Sequence, residues 1–359
     1  MRRALHILIL ALALMFAVGA RGQYYDWGVD PASTRWQQIR TDRFRIVYPQ
    51  NFDTLARRTL HFLNAAGQDV GYGFRRGAMH IPVVMHTQNT ASNGIVMWAP
   101  KRIEMLTPPS VESYSMPWLK QLSVHEQRHA VQYNNLNRHT FRALYYLLGE
   151  QGALVCLIGL PLWALEGDAT MIETDMSTFG RGRQPSFTIG YRAKRGKIVD
   201  GRNPDRWFCG SYREHIPDHY ALGYQITSYA NTKYDENIWD KIVDYAVRHP
   251  YTIVTTFVGM KKYYKTTTSK LMMETFEDLN NHWQSMPSVV ESSERIAVPA
   301  QKSFTTYSHP IFFGSRSVIA VKKSLNDTEA IVRTNVNTGE QQRICRIGQI
   351  STRPTIQGG

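Results

Sequence analysis

Residues 44–48 (FRIVY) alternate apolar and polar side chains of β-favouring types, which predicts a strand closed by Pro49. Leu55, Leu60, Phe62 and Leu63 then recur at helical spacing behind Asp53, an N-cap candidate, and predict a helix over 53–70. Gly71 to Gly77 interrupts it. Residues 81–85 (IPVVM) predict a second strand, and 93–106 a glycine-introduced turn with one or two more, stopped by Pro108 and Pro109. Ser115, as a cap, and Pro117, in the first turn, open a helix over about 117–135. Trp118, Leu119, Leu122, Ala130 and Val131 supply its packing side chains.

Residues 141–165 are mostly apolar, but the run is broken at 149–152 and cut by Pro161. It is too short to span a bilayer, so 153–165 reads as a buried helical segment. Two helices over 218–248 and one over 271–283 follow, then a polar linker at 291–299. Beyond Pro299 the pattern changes. Short runs at 310–313, 317–321, 329–333 and 342–346 are separated by turn residues and predict a small all-β unit. The space to residue 359 holds one four-stranded blade, whereas a propeller needs about four to eight. The expected class is α+β: a mixed sheet with helices over 23–290, then the first blade of a β-propeller over 300–359, with the chain a fragment of it.

The N-terminus is an address. Arg2 and Arg3, an apolar run over 5–18 and the small residues Ala20 and Gly22 make 1–22 a signal peptide cut before Gln23. Export to the periplasm or to the cell surface and outer membrane follows, with no membrane span left after cleavage. Cys156, Cys209 and Cys345 form at most one pair and have no ligand spacing, which excludes a thiolate metal site. Cys156, among apolar neighbours, reads as a core residue. The formal charge of +13 is concentrated between Gly180 and Arg206. Such a stretch attracts anionic partners such as acidic peptides, lipid headgroups or envelope polymers, and a solvated basic loop is the alternative. No nucleic-acid module is present.

The chemistry is carried by residues 125–129, His-Glu-Gln-Arg-His. On a helix, i and i+4 share a face, so His125 and His129 can hold one metal ion, with Glu126 beside them to serve a water there. Catalytic zinc takes three protein ligands and keeps one open position. Glu166, on the downstream helical segment, fits the third place. The strand just before the motif could take up an extended peptide by β-augmentation. His80, His86, His139 and His215 lack partners at ligand spacing and read as ordinary histidines.

The segments HEQRHAVQY and PLWALEGDATMIET resemble the gluzincin clan of zinc metallopeptidases. More closely, they resemble an exported bacterial type with a zincin-like catalytic domain ahead of a TolB-like β-propeller. The resemblance implies a single Zn²⁺ on His125, His129 and Glu166, with Glu126 as general base in peptide hydrolysis. It implies an oxyanion donor on a later helix, for which Tyr220 and Tyr224 are the candidates. Thermolysin-like members carry an Asp four residues after the Glu ligand. That position is Thr170 here, and Glu173, on the same helical face, could replace the Asp as support behind a ligand. The alternative function is a non-catalytic envelope binding or assembly protein, with a structural or vestigial zinc domain and a partner-binding propeller.

Overall fold

The computed structural model describes residues 30–110, 116–149, 151–152, 160–200, 204–252, 254–287, 296 and 302–348. The signal-peptide assignment, the Ser115 cap, Cys156, most of the linker and the residues beyond 348 lie outside them. The architecture is mixed α+β, with ten helices and two sheets among the described residues.

The first sheet has strands β1 (Trp36–Arg40), β2 (Arg45–Pro49), β3 (Val83–His86), β4 (Asn93–Met97) and β5 (Arg102–Leu106). Their spatial order is β1-β2-β3-β5-β4. β2, β3 and β5 run parallel to one another, and β1 and β4 pair antiparallel at the two edges. The central strands bury Ile46, Val83, Met85, Ile103 and Met105 against Leu63 of helix α1 (Asp53–Ala66) and Leu119, Leu122 and Ala130 of helix α2 (Trp118–Leu136). Each such side chain contributes roughly 1.5–3 kcal/mol. Helix α1 stops earlier than its apolar spacing suggested, at Gly67, whose φ of 56° is accessible to glycine.

Helix α2 is walled in. One side packs on the sheet, and Val124 and Val131 pack on Met171 and Ile172 of helix α4 (Leu162–Asp175). Its polar residues are therefore buried, and several are satisfied locally. Gln127 donates to the Leu63 and Ser123 carbonyls, and Asn135 to those of Arg76 and Val131.

The remaining helices are α3 (His139–Leu148), α5 (Pro185–Val199), α6 (Asp205–Cys209), α7 (His219–Lys233), α8 (Ile238–Arg248), α9 (Thr255–Tyr264) and α10 (Thr268–Ser285). They bury Trp163, Trp207, Leu222, Ile226, Trp239 and Phe276 in a second core. The basic stretch is helical in α5, with Arg192 and Lys197 exposed. Helix α4 crosses α7 at two glycines. A Cβ on Gly167 would overlap the Gly223 backbone, and one on Gly223 the Trp163 carbonyl. Only glycine permits so close a crossing.

The second sheet is an antiparallel meander of β6 (Thr305–Phe313), β7 (Ser317–Ser324), β8 (Ala330–Asn335) and β9 (Gln341–Arg346). All four runs expected from the sequence are strands, β6 being longer than expected. His215 stacks on Phe304 at 3.9 Å, which joins this unit to the helical part.

Candidate metal centre

Two helices bring the donors together. His125 and His129, one turn apart on α2, face Glu166 on α4. The two Nε2 atoms are 3.1 Å apart, and Glu166 Oε2 lies 3.2 Å from the first and 3.3 Å from the second. Nitrogen and oxygen donors about 2.0–2.1 Å from a tetrahedral ion sit about 3.3–3.4 Å from one another. The triangle therefore has the size that one small cation requires. These three are the residues whose donor atoms cluster at metal-holding distance among the described residues.

The electrostatics also call for positive charge. Burial pulls the His129 pKa down, but the Glu166 carboxylate, with Glu126 further off, outweighs it and raises it to about 9. Burial likewise opposes protonation of His125, and hydrogen bonds to Glu166 and Glu173 reverse the sign and raise its pKa. Burial would raise the Glu166 pKa, yet the two histidines hold it well below the usual carboxylate range. A proton fills the demand in the metal-free chain, and a metal ion can take its place.

Glu126 shares the cavity without joining the triangle. Burial raises its pKa, and its Oε2 has no hydrogen-bond partner. The cavity, of about 280 Å³, is lined by Asn93, Gly94, Ile95 and Val96 of β4 on one side. Gly94 is pressed against Glu126: a Cβ there would stand 2.5 Å from its Oε1. A side chain at this position would displace the carboxylate.

Behind the triangle, His125 Nδ1 lies 3.1 Å from Glu173 Oε2. Arg181, from the turn Arg181–Arg183, donates to both Glu173 oxygens at 2.6 and 2.7 Å. Its Nη2 also stands 3.0 Å from His125 Nδ1. Thr170 is buried with its hydroxyl unpartnered and supports neither histidine. Glu173 stands at His125 instead, one helical turn further along α4.

The two tyrosines are separated by the structure. Tyr220 lines the cavity, stacks on His125 at 6.1 Å and hydrogen-bonds to Glu166. Burial, then the charge of Glu166, pushes its hydroxyl pKa up, so it stays a donor. Tyr224 lies one turn further on and packs on Gly182 and Phe187, away from the cavity lining. His86, read as ordinary from the sequence, forms a buried pair with Asp30 at 2.6 Å, apart from the cavity.

Sequence reasoning missed Gln132 and Arg181. Gln132 Oε1 stands 2.7 Å from His129 Nδ1. Its signal was available, since position i+3 from His129 shares that histidine's face of α2. Asp168 points away from the triangle, and its carboxylate holds buried Arg128 through contacts of 2.6 and 2.7 Å.

No family model matches the chain, and no curated protein matches it. Among solved structures it is similar to an aminopeptidase N family protein from Idiomarina loihiensis, with 11% identity and a TM-score of 0.37. That match covers 87% of this chain and 66% of the other, so the chain spans less than two thirds of that protein's length. A TM-score of this size leaves the functional reading to the site itself.

Proposed function

We propose that the chain is an exported zinc-dependent metallopeptidase. The observation that carries this reading is the His125, His129 and Glu166 triangle with the unpartnered Glu126 oxygen beside it in an open cavity. A purely structural zinc site closes with a fourth ligand and needs no free base. His125, His129 and Glu166 would hold the zinc. When bound, the ion supplies a Lewis acid that polarises the scissile carbonyl and acidifies water.

The chain's own groups do the rest. Glu126 takes a proton from the attacking water and returns it to the leaving amine, and its burial makes it a better base than an exposed carboxylate. Tyr220 turns its hydroxyl from Glu166 to the developing oxyanion. β4 is an edge strand whose free side can pair with an extended peptide, laying the backbone along 93–97 beside the base. Gly94 allows that approach.

In this reading residues 23–290 form a zincin-like peptidase unit, and the antiparallel sheet is the first blade of a TolB-like propeller. Mature protein acts in the periplasm or at the outer membrane, and no helix among the described residues is long and apolar enough to cross a membrane. The exposed cations of α5 suit an anionic envelope surface.

Metal analysis of the purified chain and a peptide-library screen test the proposal together. The expected result is one zinc per chain and hydrolysis that Glu126→Gln abolishes without releasing the metal. Zinc-free folded protein would overturn the site. Equal inertness of wild type and variant would favour the binding-protein alternative.

A further inference from the structure

Resting on the zinc-site reading, we propose that Gln132 is a positioning residue that fixes His129 and Glu166 for the metal at once. Its amide can sit only one way round. Nε2 donates to the Leu165 carbonyl at 2.9 Å and to Asp168 Oδ2 at 2.7 Å. A flipped amide would set Oε1 against those two acceptors. Oε1 is thus held toward His129 Nδ1 at 2.7 Å, and that nitrogen must carry the hydrogen. Nε2 of the ring is left as the metal donor.

The same side chain reaches the third ligand. Leu165 directly precedes Glu166, so the bond to its carbonyl ties the turn of α4 that carries the carboxylate to the turn of α2 that carries His129. Asp168, which completes the grip on Gln132, is held in place by Arg128. Arg128 also donates to the Val70 and Tyr72 carbonyls, both at 2.7 Å, which roots the chain of contacts in the loop after α1. Arg128, Gln132 and Asp168 are absent from the cavity lining, so they act through the ligands and not on substrate.

The arrangement distinguishes the two histidines. Nδ1 of His125 has an acceptor, Glu173, and a donor, Arg181, within 3.1 and 3.0 Å. Its tautomer is free to follow what binds at Nε2. At Nδ1, His129 faces only a neutral acceptor, so that nitrogen keeps its hydrogen and Nε2 is the one that gives up its proton to an ion.

The test uses the full chain as wild type, Gln132→Met and Gln132→Glu. Zinc affinity is measured by competition with a chromophoric chelator, coordination by the visible absorption of the Co²⁺-substituted protein, and folding by far-UV circular dichroism of the metal-free protein. Gln132→Met is expected to fold, to bind zinc about 10–100-fold more weakly and to shift the cobalt bands. Gln132→Glu keeps an acceptor for His129 but puts oxygen where Leu165 and Asp168 require N–H, and it too should weaken zinc. If Gln132→Met fails to fold, Gln132→Glu decides. Wild-type affinity and an unchanged cobalt spectrum in the folded variant overturn the proposal while leaving the zinc site standing. Wild type that takes no zinc overturns the zinc site and this proposal with it.

Discussion

Gly167 and Gly223 meet backbone to backbone where α4 crosses α7, with no room for a Cβ on either. Glu166 precedes the first, and Tyr220 lies one turn before the second, so this contact sets the carboxylate beside the hydroxyl. Gly167→Ala and Gly223→Ala should each force the helices apart and cost about 1–3 kcal/mol, as overpacked cores do. Urea unfolding of the metal-free protein measures the loss. Zinc affinity should fall with it, because Glu166 moves away from His125 and His129.

Tyr220→Phe should lower kcat by about 100–1000-fold, the usual effect of losing one oxyanion donor. KM and zinc content should change little, since the ring still stacks on His125. Steady-state kinetics on a cleaved library peptide, beside metal analysis, check this. Tyr224→Phe should leave kcat unchanged, because Tyr224 packs on Gly182 and Phe187.

Zinc uptake should be linked to protons. The His129 pKa of about 9 lies above its ordinary value, so protonated His129 stabilises the metal-free fold fully below about pH 6.5, and this contribution fades as pH rises through about 9. Zinc requires the neutral ring. At pH 7 its binding must release that proton, and affinity should climb with pH toward about 9. Calorimetric titration in buffers of different ionisation heat counts the protons, and a count of zero would contradict the electrostatics described above.

Asp244 gathers Arg75, Arg138 and Arg248 at 3.0 to 3.1 Å. Burial alone would raise its pKa, but the three guanidiniums hold it below the ordinary value. A depressed carboxylate stabilises the fold above its unfolded pKa, about 3.9, and loses that contribution as pH falls through the folded value. Asp244→Asn should therefore cost about 1–3 kcal/mol near neutrality, leaving buried Arg138 underpaired, and cost progressively less in acid. Denaturant midpoints across pH measure the difference.

The grouping of His125, His129 and Glu166 was legible because a helix makes such geometry local: i and i+4 always share a face, and Glu166 sits in a helical segment downstream. The choice between Tyr220 and Tyr224 was not, since it depends on how far α7 slides along α4, a register set by Gly167 and Gly223 across a long sequence gap. Glu173 could be named as a replacement for the residue at 170 because both lie on one face of α4. Strand β1 escaped notice as a strand because it lies at an edge and buries almost nothing. No helix was expected in the basic stretch, where Pro185, Gly190 and Gly196 weaken the helical pattern. Pro185 in fact starts α5, and the buried Tyr191 and Ile198 hold it down.

The carboxylates behind the ligands are already matched. Glu173 carries Arg181, Asp168 carries Arg128, and the partner of His129 is an uncharged amide. A divalent ion would then face only Glu166 and Glu126, two negative charges against two positive. With such an ion bound, the cavity would be electrically balanced before any substrate enters. Selection along the strand at 93–97 should therefore follow the shape and apolar surface of Ile95, Trp118, Leu122 and Leu162 more than the charge of the residues flanking the cut.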